Sequence, residues 1–594
     1  MSGRLEKILY VDLTERTTWT KIRADLFEKY IGGAGVASKL LLEESPPNIN
    51  PKSPEAPIIL ATGPLAGIFP NMTKAVVMFK SPLTGNLGES YAGGNLSIAL
   101  RFTDYGVVVI RGSSDRPASL IVEKENSRVE DASSLWSRSP LETEGAIHRS
   151  TGQTTKSIIT IGRAGEKLVN YASTTVDRYS HFGRLGLGAI MGSKKLKAIC
   201  VWSTDERDLG AKSEFRELRN DIDRLINETH FMKKYKDLGT AANVLPLNVL
   251  GALPSKNFSR STFDKADEVS GENFARKVLE KKTTCPTCSV ACIHLGKLSS
   301  ASASQHKQHD AVATTERQLV PYNYQPIFAL GTNLDVSDPN EILRLIGCCE
   351  SLGMDAIMTG AVLAWATEAH ENGLTSMHET LGLTPEWGNA ETYLEMIENI
   401  ANARNEYYSA LAHGVDAAAQ RYGGKDFAVS LGKNSPAGYF TGYGHVVGTL
   451  VGARHSHLSN AGYNIDQAAL LTNMRPERIV DALVEEEDWL NVLNSLIACY
   501  FSREIYTKEI VVKTLAAIGI NRTSDELTRL GRDISSNLYN YKLGEGFDPR
   551  KENIPKRLLE VEGPMGRLNP ETIQSMISYY VKIRERAELD LCPA

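Results

Sequence analysis

The sequence predicts an α+β protein in which a β-rich N-terminal domain is followed by two largely helical domains. Three observations carry this. Short Val- and Ile-rich runs punctuated by glycine and proline fill residues 8–204, the apolar spacing changes to helical steps after about residue 205, and 594 residues exceed what one core organises. The division expected is 1–207, 208–423 and 424–594, the last boundary falling where Gly423-Gly424 closes a long amphipathic run.

In chain order, the β-runs are Ile8–Val11, Pro57–Thr62, Ala75–Phe79, Tyr105–Arg111, Ser119–Val122, Ser157–Ile161 and Ala198–Trp202. The stretches Glu341–Glu371, Glu391–Tyr422, Pro476–Ser502 and Thr507–Ile518 carry apolar residues at three- and four-residue steps and predict helices. Residues 299–315 are polar and low in complexity, as an exposed loop would be.

Composition narrows the function. Apolar residues at 42% and a net charge of −5 suit a globular protein and argue against a nucleic-acid partner, which would call for a basic face. The N-terminus lacks an apolar signal segment and no run is long enough to span a membrane, so a cytoplasmic chain without a membrane partner is expected. Eight cysteines in so long a chain are not a disulfide framework. Cys348 and Cys349, within a helical pattern, read as packing.

The clustered cysteines, Cys285-Pro-Thr-Cys288-Ser-Val-Ala-Cys292, have the spacing C-x2-C-x3-C. Such a loop can turn three thiolates toward one inorganic core, and a cubane [4Fe–4S] cluster usually takes four. Zinc and plain buried cysteines are the alternatives, although zinc sites commonly use a second C-x2-C pair, which is missing here. Two glycine-rich stretches lie upstream: Lys80–Gly85 running on to Tyr91-Ala-Gly93-Gly94-Asn95, and Phe182-Gly-Arg184-Leu-Gly186-Leu-Gly188 on to Lys194. Glycine lets backbone N–H groups approach an anion, and Arg184 could neutralise phosphate. Tight turns are the other reading. The second stretch matches neither a P-loop nor a dinucleotide fingerprint.

Together, Tyr10-Val-Asp-Leu, Tyr30-Ile-Gly-Gly-Ala-Gly, Ser81-Pro-Leu-Thr-Gly, Gly186-Leu-Gly-Ala-Ile-Met-Gly-Ser-Lys and the cysteine spacing resemble the tungsten-dependent aldehyde ferredoxin oxidoreductase family. The resemblance runs from the N-terminus to Ile554-Pro-Lys-Arg-Leu558. It implies a β-rich base under a tungsten bis-pterin, with molybdenum as the alternative metal and Mg²⁺ bridging the pterin phosphates. It also implies a [4Fe–4S] cluster held by Cys285, Cys288, Cys292 and Cys499. The last of these ends Asn494-Ser-Leu-Ile-Ala-Cys499, which stands where the family has D-x-x-G-L-C within a helical stretch. Glu350-Ser-Leu-Gly-Met-Asp355 matches a related motif whose carboxylates accept from pterin amines. Lys74 matches a basic side chain between cluster and pterin, and His457 a histidine near the metal, with His455 beside it.

Five residues depart from the family. Gln325 stands where it carries a glutamate, and an amide can orient a substrate or water but cannot act as a base. Lys74 replaces an arginine and loses its fork. Asn494 replaces an aspartate, and Ile497-Ala498 replaces Gly-Leu. The implied activity is interconversion of an aldehyde and its carboxylate, with His457 and Gln325 at the substrate and ferredoxin or a ferredoxin-like subunit as electron partner, in a homo- or hetero-oligomer. The alternatives are a reductase of an aromatic acyl-CoA thioester on the same scaffold, or an electron-transfer subunit without a working tungsten site.

Overall fold

The computed structural model describes residues 5–151, 155–205, 209–210, 212–298 and 319–589. The polar stretch 299–315 and Cys592 lie outside the described residues, and every candidate site position lies within them.

The first sheet contains β1 (Lys7–Asp12), β2 (Thr17–Ile22), β3 (Ile58–Ala61), β4 (Ala75–Lys80), β5 (Leu87–Ala92) and β6 (Tyr105–Arg111), in the order β2-β1-β6-β3-β4-β5. The second contains β7 (Ala118–Val122), β8 (Arg128–Asp131), β9 (Thr155–Ile161), β10 (Thr174–Val176), β11 (Ser180–Phe182) and β12 (Leu196–Trp202), in the order β11-β10-β9-β12-β7-β8. Among the described residues only β1–β6 and β7–β12 pair in parallel. Each of the seven expected runs coincides with a strand, that over 57–62 extending one residue beyond β3 at each end. The five strands without a matching expectation, β2, β5, β8, β10 and β11, are either short, exposed or interrupted by polar residues, so apolar runs do not mark them.

The first sheet is covered on both faces, which is why its central strands are apolar throughout rather than alternating. Leu9, Val11, Val108 and Ile110 face the second sheet, against Leu120, Ile159 and Ile199. Ile8, Tyr10, Val107 and Val109 face helices. Those helices come from both ends of the chain: Ala24–Tyr30 and Gly33–Glu44 from the start, Pro476–Ser495 and Ser524–Gly544 from near the end.

Most helices between residues 244 and 483, together with Pro570–Leu589, share one core that runs on both sides of Gly423 and Gly424, where the helix Val415–Tyr422 ends with a positive φ at Gly423. The expected helix over 341–371 is two helices, Pro339–Leu352 and Ala356–Glu371, broken by Gly353 at φ 73° and capped again by Asp355. Past residue 205 the chain also forms a third, antiparallel sheet: β13 (Leu279–Thr283), β14 (Ile293–Lys297) and β15 (Leu319–Tyr322). Among the described residues no helix is long and apolar enough to cross a membrane.

The helical expectation over 494–499 is corrected. The helix stops at Ser495, Ile497 takes a φ of 61°, and Ala498 pairs with Met72 as an isolated antiparallel bridge. Glycines make the room. A Cβ on Gly33 would come within 2.5 Å of the Asn494 carbonyl oxygen and one on Gly63 within 2.9 Å of Leu496 O, so side chains there would push the two ends of the protein apart. Gly33→Ala, which also forces alanine to a φ of +42°, should destabilise the chain by about 1–3 kcal/mol, read as a lowered midpoint of thermal or denaturant unfolding.

Candidate functional site

The three clustered cysteines sit on the tip that joins β13 to β14, whose last pair is Thr283↔Ile293. Thr287 and Ala291 at positive φ turn the tip, Cys288 N donates to Cys285 O at 3.2 Å, and the Thr284 hydroxyl donates to Cys288 O at 2.6 Å. One short segment connects this tip to Cys499. Asn71 N donates to Thr287 O at 3.3 Å, while Asn71 O accepts from Cys499 N at 2.8 Å, and Lys74 N donates to Ile497 O at 3.1 Å. The four thiols consequently surround one basic group. Burial would lower the Lys74 amine, but the negative charge available at Cys499, Cys285, Cys292 and Cys288 raises it above its ordinary value. Burial pushes the Cys292 thiol up, and its like-charged neighbours Cys499 and Cys288 push it further, against the pull of Lys74.

The donor set fits a cluster. Asn71 Nδ2 and Oδ1, Thr287 Oγ1 and Ser289 Oγ are buried beside the thiols without a partner in the protein, and buried polar groups are ordinarily satisfied. Among the described residues no three His, Cys, Asp or Glu side chains are grouped to hold a single metal ion. Gly93 borders them: a Cβ there would meet Cys285 Sγ at 2.6 Å and Lys74 Nζ at 3.3 Å. A cavity of about 510 Å³ adjoins the same tip and is lined by Gly94, Asp177, Cys285 and Cys288 among others.

A second group of candidates meets where the N-terminal and helical parts face each other. Arg184 Nε pairs with Asp355 Oδ2 at 3.0 Å and its NH2 bonds Asn434 Oδ1 at 2.7 Å, leaving NH1 buried and unpartnered. His457 packs 5.2 Å from the ring of Tyr439, which stacks on Tyr463 at 4.4 Å. Gln325 reaches the same loop, its Oε1 accepting from Gly438 N at 3.1 Å while Nε2 is unpartnered. Both ring nitrogens of His445 and of His455, and Nδ1 of His457, are buried without partners. Burial holds the His457 imidazole well below its ordinary value, reinforced by His445, Arg184 and Arg454. His445 is lowered to about 4 by burial.

The remaining candidates are held by the protein itself. Glu350 bonds His181 Nε2 at 2.6 Å. Asp355 also accepts from Ile357 N and Met358 N as a helix cap. Gly186, at φ 88°, lies against Asn170 O, and a Cβ on Gly188 would meet Ser173 O at 2.5 Å, so both glycines serve close backbone packing. Gly94 faces the Asp177 carboxylate, and Asn494 is half-buried, with its carbonyl against Gly33. Sequence reasoning missed Asn71, Arg454, His445 and Tyr439. Only Asn71 carried a local signal, as an asparagine in a Pro-Asn turn that tolerates positive φ.

Because folded His445 binds a proton more weakly than the unfolded side chain, its contribution to stability is complete above 6.5 and is lost as pH falls toward 4. His445→Gln should remove this dependence, narrowing the loss of stability between those pH values by about 2–3 kcal/mol in unfolding measured against pH.

Two family models match the chain. Residues 8–203 match the family model described as "Aldehyde ferredoxin oxidoreductase, N-terminal domain", and residues 217–588 match "Aldehyde ferredoxin oxidoreductase, domains 2 & 3". The tungsten-containing aldehyde ferredoxin oxidoreductase of Pyrococcus furiosus is 31% identical over 94% of this chain and 92% of that protein. The protein of the same name from Thermococcus kodakarensis is 31% identical over 98% and 96%. The Pyrococcus furiosus "Aliphatic sulfonate oxidoreductase, WOR-like subunit" is 26% identical over 97% and 93%. The solved active-site complex BamBC of benzoyl coenzyme A reductase has the same fold, with a TM-score of 0.80 at 21% identity over 98% of this chain and 94% of that one. The chain belongs to the aldehyde ferredoxin oxidoreductase family, a family of oxidoreductase enzymes.

Proposed function

We propose that this protein interconverts an aldehyde and its carboxylic acid at a tungsten bis-pterin and passes the electrons through a [4Fe–4S] cluster to ferredoxin or a ferredoxin-like subunit. The observation that carries the reading is the meeting of four thiols from distant segments around Lys74, within a chain whose relatives are named for tungsten, aldehyde and ferredoxin. Cys285, Cys288, Cys292 and Cys499 would hold the cluster, and the cavity beside Cys285 and Cys288 supports that side for the electron acceptor.

When bound, the tungsten bis-pterin supplies the two-electron chemistry, RCHO + H2O → RCOOH + 2 H⁺ + 2 e⁻. The protein's residues handle position and protons. Gln325, with Oε1 fixed by Gly438, turns Nε2 free to donate to the substrate oxygen. His457 is kept neutral by burial and so can take up one of the protons released. Arg184, held by Asp355 and Asn434, could give NH1 to a pterin phosphate, and the charge of Lys74 would favour electron transfer between cluster and pterin. Glu350 and Asp355 each retain acceptor positions for pterin amines, beyond the bonds to His181 and Arg184. Gly93, Gly94, Gly186, Gly188 and Asn494 shape the backbone around these groups.

Anaerobically purified protein should contain tungsten together with about four iron atoms per chain, and Cys499→Ser should lose most of that iron on elemental analysis. Iron without tungsten or molybdenum would instead support an electron-transfer subunit. In a viologen-coupled assay His457→Ala should lower kcat for aldehydes about 10²–10⁴-fold with tungsten content unchanged. Wild-type turnover of aromatic acyl-CoA thioesters and none of aldehydes would overturn the proposed substrate.

A further inference from the structure

The loop that carries His457 begins at one peptide unit that two buried side chains grip from opposite sides. Its carbonyl, Gly452 O, accepts from Lys542 Nζ at 2.8 Å, and its amide, Ala453 N, donates to Glu487 Oε1 at 3.0 Å. Lys542 lies on the helix Ser524–Gly544 and Glu487 on the helix Pro476–Ser495, so the grip comes from two independent elements. Both residues are buried, Lys542 completely.

Burying a lysine and a glutamate is costly, and such groups persist when something specific depends on them. The second oxygen of Glu487 is fixed from behind, by Arg584 NH2 at 2.9 Å and the Tyr580 hydroxyl, both on the helix Pro570–Leu589. Lys542 Nζ stands 4.1 Å above the ring of Phe547, which in turn packs edge-on against His455. The gripped carbonyl also accepts from His455 N at 3.3 Å, which turns the loop, and Arg454 ties it across by donating to Leu458 O at 2.7 Å. A helix-terminal carbonyl needs only water or a cap to be satisfied, so two charged side chains exceed what closing the helix Tyr443–Val451 requires.

We propose that Lys542 and Glu487 are positioning residues that clamp the Gly452–Ala453 peptide and thereby set where His457 stands relative to the substrate. The clamp acts through hydrogen bonds, and an amine donates to a carbonyl in either protonation state. Burial lowers Lys542 to about 7, against the opposing charges of Glu487, Glu552 and Glu89, and this leaves the bond to Gly452 intact. The catalytic consequence rests on the aldehyde oxidation proposed above, whereas the clamp itself does not.

The test compares the purified full-length holoenzyme with Lys542→Met, Glu487→Ala and Glu487→Gln. Methionine fills the volume of lysine over the Phe547 ring without a charge, so the fold should tolerate it. Deuterium exchange of peptides covering 452–458 should quicken at least about tenfold in Lys542→Met and Glu487→Ala. Per tungsten atom, kcat for an aldehyde should fall about 10–100-fold with KM within about twofold. Glu487→Gln, whose amide oxygen can still accept from Ala453 although its amide nitrogen cannot accept from Arg584, should recover part of both changes. Unchanged exchange in Lys542→Met and Glu487→Ala would overturn the clamp. Faster exchange with unchanged kcat per tungsten would overturn its role in positioning. A wild-type enzyme inactive on aldehydes would count against the proposed reaction alone, because the exchange measurement still decides the clamp.

Discussion

The arrangement of the whole molecule depends on one contact, the docking of residues 494–499 onto glycines 32–35 and 63. Backbone lies against backbone there, with Asn494 O, Ser495 O and Leu496 O occupying the space that side chains on those glycines would fill. The closeness lets Ala498 bridge Met72 and lets Asn71 bond both Cys499 and Thr287. A segment near residue 500 is thereby brought to a hairpin tip near residue 288 through a third strand of chain near residue 71. Any side chain at Gly33 or Gly63 separates these three pieces, so the four-thiol site is as much a property of the N-terminal glycines as of the cysteines.

Burial of polar groups follows from the same interlocking. Where the N-terminal and helical parts of the chain meet, and between the C-terminal helices, buried groups are cut off from water. Histidines there lose protons, as burial of His445, His455 and His457 shows, since an imidazolium without a partner is unfavourable in a dry interior. Carboxylates there survive by partnering cations, as Glu487 does with Arg584 and Asp355 with Arg184. Arg184 NH1, Gln325 Nε2 and His457 Nδ1 are among the buried atoms left without a partner in the protein.

Much of this was legible in the sequence. The central strands announced themselves as uninterrupted apolar runs, because a sheet covered on both faces needs no polar alternation. The cysteine spacing and the family resemblance together named all four thiols and Lys74. The helical reading of 494–499 failed because periodicity continues through Leu496 and Ile497 while the backbone does not: Ile497 takes a left-handed φ to meet the N-terminal domain. The glycines at 186 and 188 illustrate the converse, a glycine-rich loop whose freedom is spent on packing against 170–173.

By itself the sequence determined the α+β class, the order of β-rich and helical parts, the clustered ligand-type residues and the family. Those follow from local chemistry and spacing, which a linear chain displays. Only the tertiary structure decided that Cys499 leaves its helix to reach the hairpin tip, that Gln325 and His457 share one loop contact through Gly438 and Tyr439, and that Lys542 and Glu487 hold a single peptide bond. Each of these joins residues tens to hundreds of positions apart, and such pairings are selected by the packing of buried surfaces, which no window of sequence contains.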